Sequence, residues 1–172
     1  DVIERIQRFV QNASGEREAC NINLLLRDLR SLAAGDARLH GIDLTLALNP
    51  DIPIIYCDAV QIQQVALNLV RNAVDAMFEI ECVNGNGIEL RSGLVGDYIS
   101  VSVVDNGPGV DDSQTDKIFT PFHTTKRDGM GMGLSICRSI VEDHDGQLDY
   151  RNNSNNVGAT FFFTLPIGDK LD

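Results

Sequence analysis

An α/β layered domain is the fold class that this sequence predicts. Apolar residues recur at helical spacing over 22–39 and 58–78, residues 42–48 alternate apolar and polar, and helical and strand-like segments interleave along the chain. A length of 172 residues gives one such domain a core of its own, and a hydrophobic share of 43% argues against disorder.

Each element has its own signal. Residues 1–10 (DVIERIQRFV) read as the last turns of a helix that begins upstream, with Val2, Ile3, Ile6, Phe9 and Val10 on one stripe. Residues 11–20 are polar and contain Ser14-Gly15, so they read as a linker. A helix over 22–39 and a strand over 42–48 (IDLTLAL) open the main domain. Pro50 and Pro53 punctuate, Ile54 to Cys57 make a short strand, and Asp58 is placed to cap a helix running to about Phe78. Strands follow over 87–92 and 98–104, then a glycine-rich stretch from about 106 to 132. A helix from about Gly133 to Asp145 ends at Gly146, and strands over 147–151 and 158–165 form the last pair. The expected organisation is residues 1–20 as helix end and linker, 21–168 as one domain, and 169–172 as a tail.

Charge and cysteines narrow the function classes. Fourteen basic against 25 acidic residues give a net charge of −11, which excludes general nucleic-acid binding through a basic footprint. An anionic ligand would have to be met locally, by backbone amides and a few cations. No apolar run is long enough to span a bilayer and no signal peptide opens the sequence. The expected setting is cytoplasmic, with no direct membrane contact by this stretch, although a longer parent can still be anchored. Cys20, Cys57, Cys82 and Cys137 are scattered without a C-x-x-C pair, so buried reduced thiols are expected.

The helix after Asp58 has two faces. Ile62, Val65, Ala66, Leu69, Ala73 and Met77 fall on one side and suit packing on a sheet. Gln61, Gln64, Asn68, Asn72 and Asp75 form a second, polar stripe. Asparagine is a poor helix former, so two of them one turn apart suggest a chemical role, since an amide offers an oxygen to a cation and an NH2 to an anion. Taken alone, the stripe is as well a solvated face.

Two glycine clusters follow. Asp105-Asn106-Gly107-Pro108-Gly109 comes directly after the strand Ile99 to Val104. A carboxylate at a strand end can accept from an exocyclic amine, and glycines let a flat ligand approach; by itself the run is also an ordinary tight turn. Gly129-Met130-Gly131-Met132-Gly133 runs into the helix that starts Leu134-Ser135, where free backbone amides make an anion site. The cluster is neither a Rossmann turn, since no strand precedes it, nor a P-loop, since G-K-[ST] is missing. Between the clusters, Phe119 and Phe122 can anchor a loop, and Thr124, Thr125, Lys126 and Arg127 can reach phosphates. So long a stretch without regular structure reads as a lid over a nucleotide.

The order of these pieces carries a resemblance. L-N-L-V-R-N-A-V-D-A, D-N-G-P-G, I-F-T-P-F-H-T-T-K, G-M-G-M-G-L-S-I and G-A-T-F-F-F-T-L-P resemble the asparagine, first glycine, phenylalanine and second glycine boxes and the closing strand of sensor histidine kinases, over about residues 20–166. P-F-H-T-T-K with G-M-G-M-G-L is most similar to the branch that includes oxygen- and nitrogen-responsive sensors. The resemblance implies the Bergerat ATP-binding fold, a two-layer sandwich of a mixed sheet and α-helices with a glycine-rich ATP lid. It implies ATP and Mg²⁺ as ligands, and a γ-phosphoryl transfer to a histidine for relay to a response regulator aspartate. Asn72 would hold Mg²⁺, Asn68 would help with metal and phosphates, and Asp105 would take the adenine amine. Gly107, Gly109 and Val110 would shape the adenine pocket, and Thr160 would support Asp105 by hydrogen bonding. Lys126 and the amides about Gly131 and Gly133 would meet the phosphates, with Arg71, Phe119, Thr124, Thr125, Gly129, Met130, Met132 and Leu134 around them.

Two departures qualify the resemblance. Many relatives carry Lys where this chain has Asp75, so Arg71 or Lys126 would supply that cation. The phospho-accepting histidine box is absent: His40 and His144 end helices, His123 lies in the lid, and none has the acidic neighbour and helical setting of an acceptor. The acceptor is expected upstream, on a dimerisation and phosphotransfer domain that would make the full-length parent a homodimer. Related hydrolytic ATPases have Glu at the Asn68 place to activate water; an amide cannot do so.

Overall fold

Helix α1 (Ile22–Leu39) begins where Asn21 turns its side-chain oxygen onto the Leu24 N–H at 3.2 Å, and it ends at His40, just before Gly41. It is the first helix of a computed structural model that describes residues 15–78, 86–121, 133–155 and 157–168. The expected helix end over 1–10, Cys82, the lid from Phe122 to Met132 and the tail 169–172 lie outside the described residues.

The strands are β1 (Glu18–Cys20), β2 (Ile42–Leu48), β3 (Ile55–Cys57), β4 (Asn86–Val95), β5 (Tyr98–Asp105), β6 (Leu148–Asn152) and β7 (Ala159–Pro166). The other helices are α2 (Ala59–Phe78) and α3 (Gly133–Asp143). Five strands form a mixed sheet in the order β2-β4-β5-β7-β6, with β2 parallel to β4 and every other pair antiparallel. The parallel pair needs a long crossover, and α2 lies within it. All three helices contact the same sheet, α1 against β2, α2 against β4 and β5, and α3 against β6 and β7.

The core lies between the two layers. Leu44, Leu90, Val101, Val103, Phe163 and Leu165 from the sheet are buried with Leu26, Leu29, Ile62, Val65, Leu69 and Met77 from the helices. Each such side chain contributes about 1.5–3 kcal/mol by leaving water. That burial, and not helix propensity, holds α2, whose buried face carries β-branched residues and whose edge carries two asparagines. The six apolar residues expected on its inner face are all buried, together with Val70.

Two segments differ from the sequence expectation. Glu18–Cys20, which composition places within a linker, pairs antiparallel with β3. Three residues are too few to show alternation, and the partner is remote in sequence. Strand β4 also runs on to Val95, because Val95 pairs with Tyr98 across the two-residue turn Gly96-Asp97.

The ends of α2 and α3 are fastened together. Asp58 caps α2 as expected, its Oδ1 accepting from the Gln61 N–H at 3.1 Å. Helix α3 stops at Asp143, and the left-handed residue that follows is Asp145 (φ 61°), not Gly146. Gly146 is needed for another reason: a Cβ there would lie 1.8 Å from the Thr164 carbonyl oxygen. His144 closes this helix as a hydrogen-bonding clasp. Its Nδ1 meets the Ile140 carbonyl at 2.8 Å, and its Nε2 accepts from the Asp58 N–H at 3.1 Å. One acceptor and one donor as partners put the ring hydrogen on Nδ1. With both ring nitrogens engaged and the side chain 4% exposed, His144 is not available as an acceptor of phosphate. Replacing His144 with phenylalanine leaves the buried Asp58 N–H without its imidazole partner, while the Ile140 carbonyl keeps its bond from the residue 144 main-chain N–H. Urea unfolding is expected to show a loss of about 1–3 kcal/mol.

Candidate functional site

The polar edge of α2 runs toward the start of α3. Asn68 and Asn72 are half-buried there, as are Gln61 and Gln64, while Arg71 and Asp75 are exposed. The Asn68 side-chain nitrogen donates to Cys137 Sγ at 3.2 Å. Gly133, the first residue of α3, lies so close to the same amide that a Cβ on it would come within 2.7 Å of Asn68 Nδ2. Asn68, on the asparagine edge, and the positive end of α3 therefore share one place, where the helix dipole favours an anion. Leu134 packs against the core just inside that end.

The second half of the site is the end of β5. Asp105 is 5% exposed, and its Oδ1 accepts from the Gly107 N–H at 2.9 Å and the Ala159 N–H at 3.2 Å. Burial pushes this carboxyl above its ordinary 3.8, while the two N–H bonds pull the other way. A Cβ on Gly107 would stand 3.1 Å from both Asp105 Oδ1 and Met77 Cγ. Met77 ends the buried face of α2, so Asp105 and both asparagines border one helix. The turn continues through Gly109 (φ 79°), and Asn152 holds the next residue from both sides: its Oδ1 accepts from the Val110 N–H and its Nδ2 donates to the Val110 carbonyl, each at 2.8 Å.

Thr160 does not reach the Asp105 carboxylate. It pairs with Val104 across the sheet, on the opposite face from Asp105, because strand side chains alternate. Its hydroxyl donates to Asn153 Oδ1 at 2.6 Å, and Asn153 Nδ2 donates to the Asp105 backbone carbonyl at 2.9 Å. Support from Thr160 thus passes through Asn153 to the main chain. The carboxylate's own partner in the closing strand is the Ala159 N–H.

The stretch between the glycine clusters is anchored where it is described. Asp111 caps a 3-10 turn at Asp112–Gln114, a short regular element in a stretch expected to have none. Phe119 lies 6.3 Å from Tyr150, which stacks on Phe161, and the Arg138 guanidinium sits 5.2 Å over the Phe119 ring. That fulfils the anchoring expected of Phe119. Phe122, His123, Thr124, Thr125, Lys126, Arg127, Gly129, Met130, Gly131 and Met132 lie outside the described residues.

Several contributors carry no chemical flag in the sequence. Ala159 acts through its main chain, Met77 and Cys137 read as core, and Gly158 as a loop. The Asn152-Asn153 pair is the one available signal, since such residues bond to nearby backbone in turns.

A family model described as histidine kinase-, DNA gyrase B-, and HSP90-like ATPase matches residues 57–169. The C4-dicarboxylate transport sensor protein DctS of Rhodobacter capsulatus is 38% identical over 96% of this chain and 25% of its own length. The catalytic domain of histidine kinase ThkA superposes with a TM-score of 0.76 at 35% identity, covering 88% of this chain and 95% of that one. ThkA in complex with response regulator protein TrrA gives a TM-score of 0.76 at 30% identity, over 97% of this chain and 48% of that one. Full-length ShkA in complex with AMPPNP gives 0.79 at 26% identity, over 94% and 34%. The chain spans only part of its curated relatives, 25% to 33% of the length of three of them. Among the described residues no helix is long and apolar enough to cross a membrane.

Proposed function

The chain belongs to the histidine kinase-, DNA gyrase B- and HSP90-like ATPase family, as a catalytic domain of the sensor histidine kinase type, and we propose that it binds Mg-ATP where α2, β5 and α3 meet. From there it would pass the γ-phosphoryl group to a histidine on an upstream dimerisation and phosphotransfer domain. A response regulator aspartate would then receive it. Residues 1–17 would be the end of that upstream domain and its linker, with β1 already part of this domain, and the full-length parent would be a cytoplasmic-facing homodimer, membrane-anchored or not.

The observation that carries the reading is that Asn68 meets the start of α3 and buried Asp105 lies by Met77 near the end of α2, with Asn72 one turn beyond Asn68 on the same helix. The fit to the ligand rests on donor chemistry. Asp105 has Oδ1 committed to two N–H groups, which orients Oδ2 to accept from the adenine amine. Asn72 supplies a hard amide oxygen suited to Mg²⁺, whose remaining ligands come from phosphate. The cation would neutralise charge on the phosphates during transfer. Lys126, Thr124, Thr125 and the amides about Gly131 would complete the phosphate cradle. Phosphoryl transfer asks mainly for positioning and charge neutralisation, which are what these groups offer. A hydrolytic ATPase is the rival reading; Asn68 opposes it, since an amide tied to Cys137 cannot act as a base.

Calorimetric titration with a non-hydrolysable ATP analogue, with Mg²⁺ and with EDTA, tests the site. Asn72→Ala is expected to keep weak, adenine-directed binding and lose its Mg²⁺ dependence. Incubation with labelled ATP should leave residues 1–172 unlabelled and should label added upstream helices. Labelling of a histidine within this chain, or no nucleotide binding by a folded domain, would sink the proposal.

A further inference from the structure

Asn68 does not orient itself. A side-chain amide on an exposed helix edge flips freely, and its two ends offer opposite chemistry to a cation. Here the amide is wedged between two residues of α3 that are four apart and so lie on one helix face: Gly133 beside it and Cys137 beneath it. The contact is with Nδ2, which sits 3.2 Å from the Cys137 sulfur. The sulfur also reaches the Val65 carbonyl, on α2 one turn before Asn68, at 4.0 Å. A thiol has lone pairs to accept from Nδ2 and one hydrogen to give to Val65, so the two contacts are compatible. Cys137 is fully buried, and burial pushes its thiol up to about 11, which keeps that hydrogen in place at neutral pH.

We infer that Cys137 is a positioning residue: its sulfur holds Asn68 Nδ2 against α3 and thereby turns Asn68 Oδ1 toward the cation and phosphates. The inference rests on the proposed nucleotide site and adds a residue to it that contacts neither metal nor phosphate. It also links the helix that follows the second glycine cluster to the asparagine edge of α2 through a side-chain bond.

The test compares Cys137→Val, which keeps bulk and removes the acceptor, with Cys137→Ser, which keeps an acceptor and a donor. Affinity for the ATP analogue is measured with Mg²⁺ and with EDTA, alone and in an Asn68→Ala background. Cys137→Val is expected to weaken Mg²⁺-dependent binding about tenfold, with the EDTA affinity unchanged. Cys137→Ser should recover most of the loss, and Cys137→Val should add nothing in the Asn68→Ala background. In the ligand-free protein, the Asn68 side-chain NH2 resonances should shift in Cys137→Val and stay near their places in Cys137→Ser. Equal losses with Mg²⁺ and with EDTA, or a loss that persists in the Asn68→Ala background, reduce Cys137 to packing and overturn the inference. Full affinity in Cys137→Val beside a loss in Asn68→Ala overturns the inference alone. No loss in Asn68→Ala overturns the assigned role of Asn68 and the inference with it.

Discussion

Asp105→Asn is expected to weaken adenine nucleotide binding by about 100-fold or more while making the ligand-free domain more stable. Both effects come from one geometry. The Gly107 and Ala159 N–H groups converge on Oδ1, and in the variant they select the amide oxygen for that place. The amide NH2 is then left where Oδ2 stood, so a donor faces the donor amine of adenine. Stability moves the other way because an ionised carboxylate is costly in a buried place. Its carboxyl is raised by desolvation, so its contribution to stability is full below the ordinary 3.8 and is lost as pH rises through the raised value. Above that raised value the wild type therefore carries the cost of a buried charge that the amide lacks. Binding has the reverse dependence: wild-type affinity should fall as pH drops through the raised value, and Asp105→Asn should be flat there. Titration calorimetry as the pH is lowered from neutral, beside urea unfolding, checks both. Unchanged affinity in the variant would remove Asp105 from the adenine site.

Much of this is legible in the residues themselves. Helices α1 and α2 and strand β2 announce themselves through periodicity, and the cap at Asp58 sits where capping chemistry requires a side-chain oxygen. Asn68, Asn72 and Asp105 stand out because polar groups recur where packing alone would not choose them. What stays hidden is main-chain or non-local. Strand β1 exists only through its pairing with β3, and the Ala159 N–H has no side-chain signature. The resemblance assigns Thr160 to Asp105, but the register of β7 on β5 turns it to the face opposite the carboxylate, and one residue of register decides which neighbour the carboxylate meets. Cys137 looks like any core thiol until α3 is laid against α2.

Gly158→Ala is expected to destabilise the domain by about 4 kcal/mol or more and to loosen the nucleotide site with it. Gly158 has a φ of 79°, a left-handed conformation that costs an L-residue about 1–2 kcal/mol. The larger cost is steric. A Cβ there would lie 2.0 Å from the Asp105 carbonyl oxygen, 2.6 Å from its carbon and 2.7 Å from Asn106 Cα. All three are backbone atoms, so no rotamer change relieves them. Either the end of β5 or the start of β7 must move, and that parts the Ala159 N–H from Asp105 Oδ1. Gly96→Ala separates the two effects, because Gly96 also has a positive φ (56°) but a Cβ there meets nothing within 4 Å. It should lose only the conformational cost, about 1–2 kcal/mol, with affinity unchanged. Urea unfolding and analogue titration of the pair read both terms. If Gly158→Ala behaves like Gly96→Ala, the junction of β5 and β7 is compliant. Asp105 then owes its position to the Gly107 turn and to Asn153, not to the closeness of the closing strand.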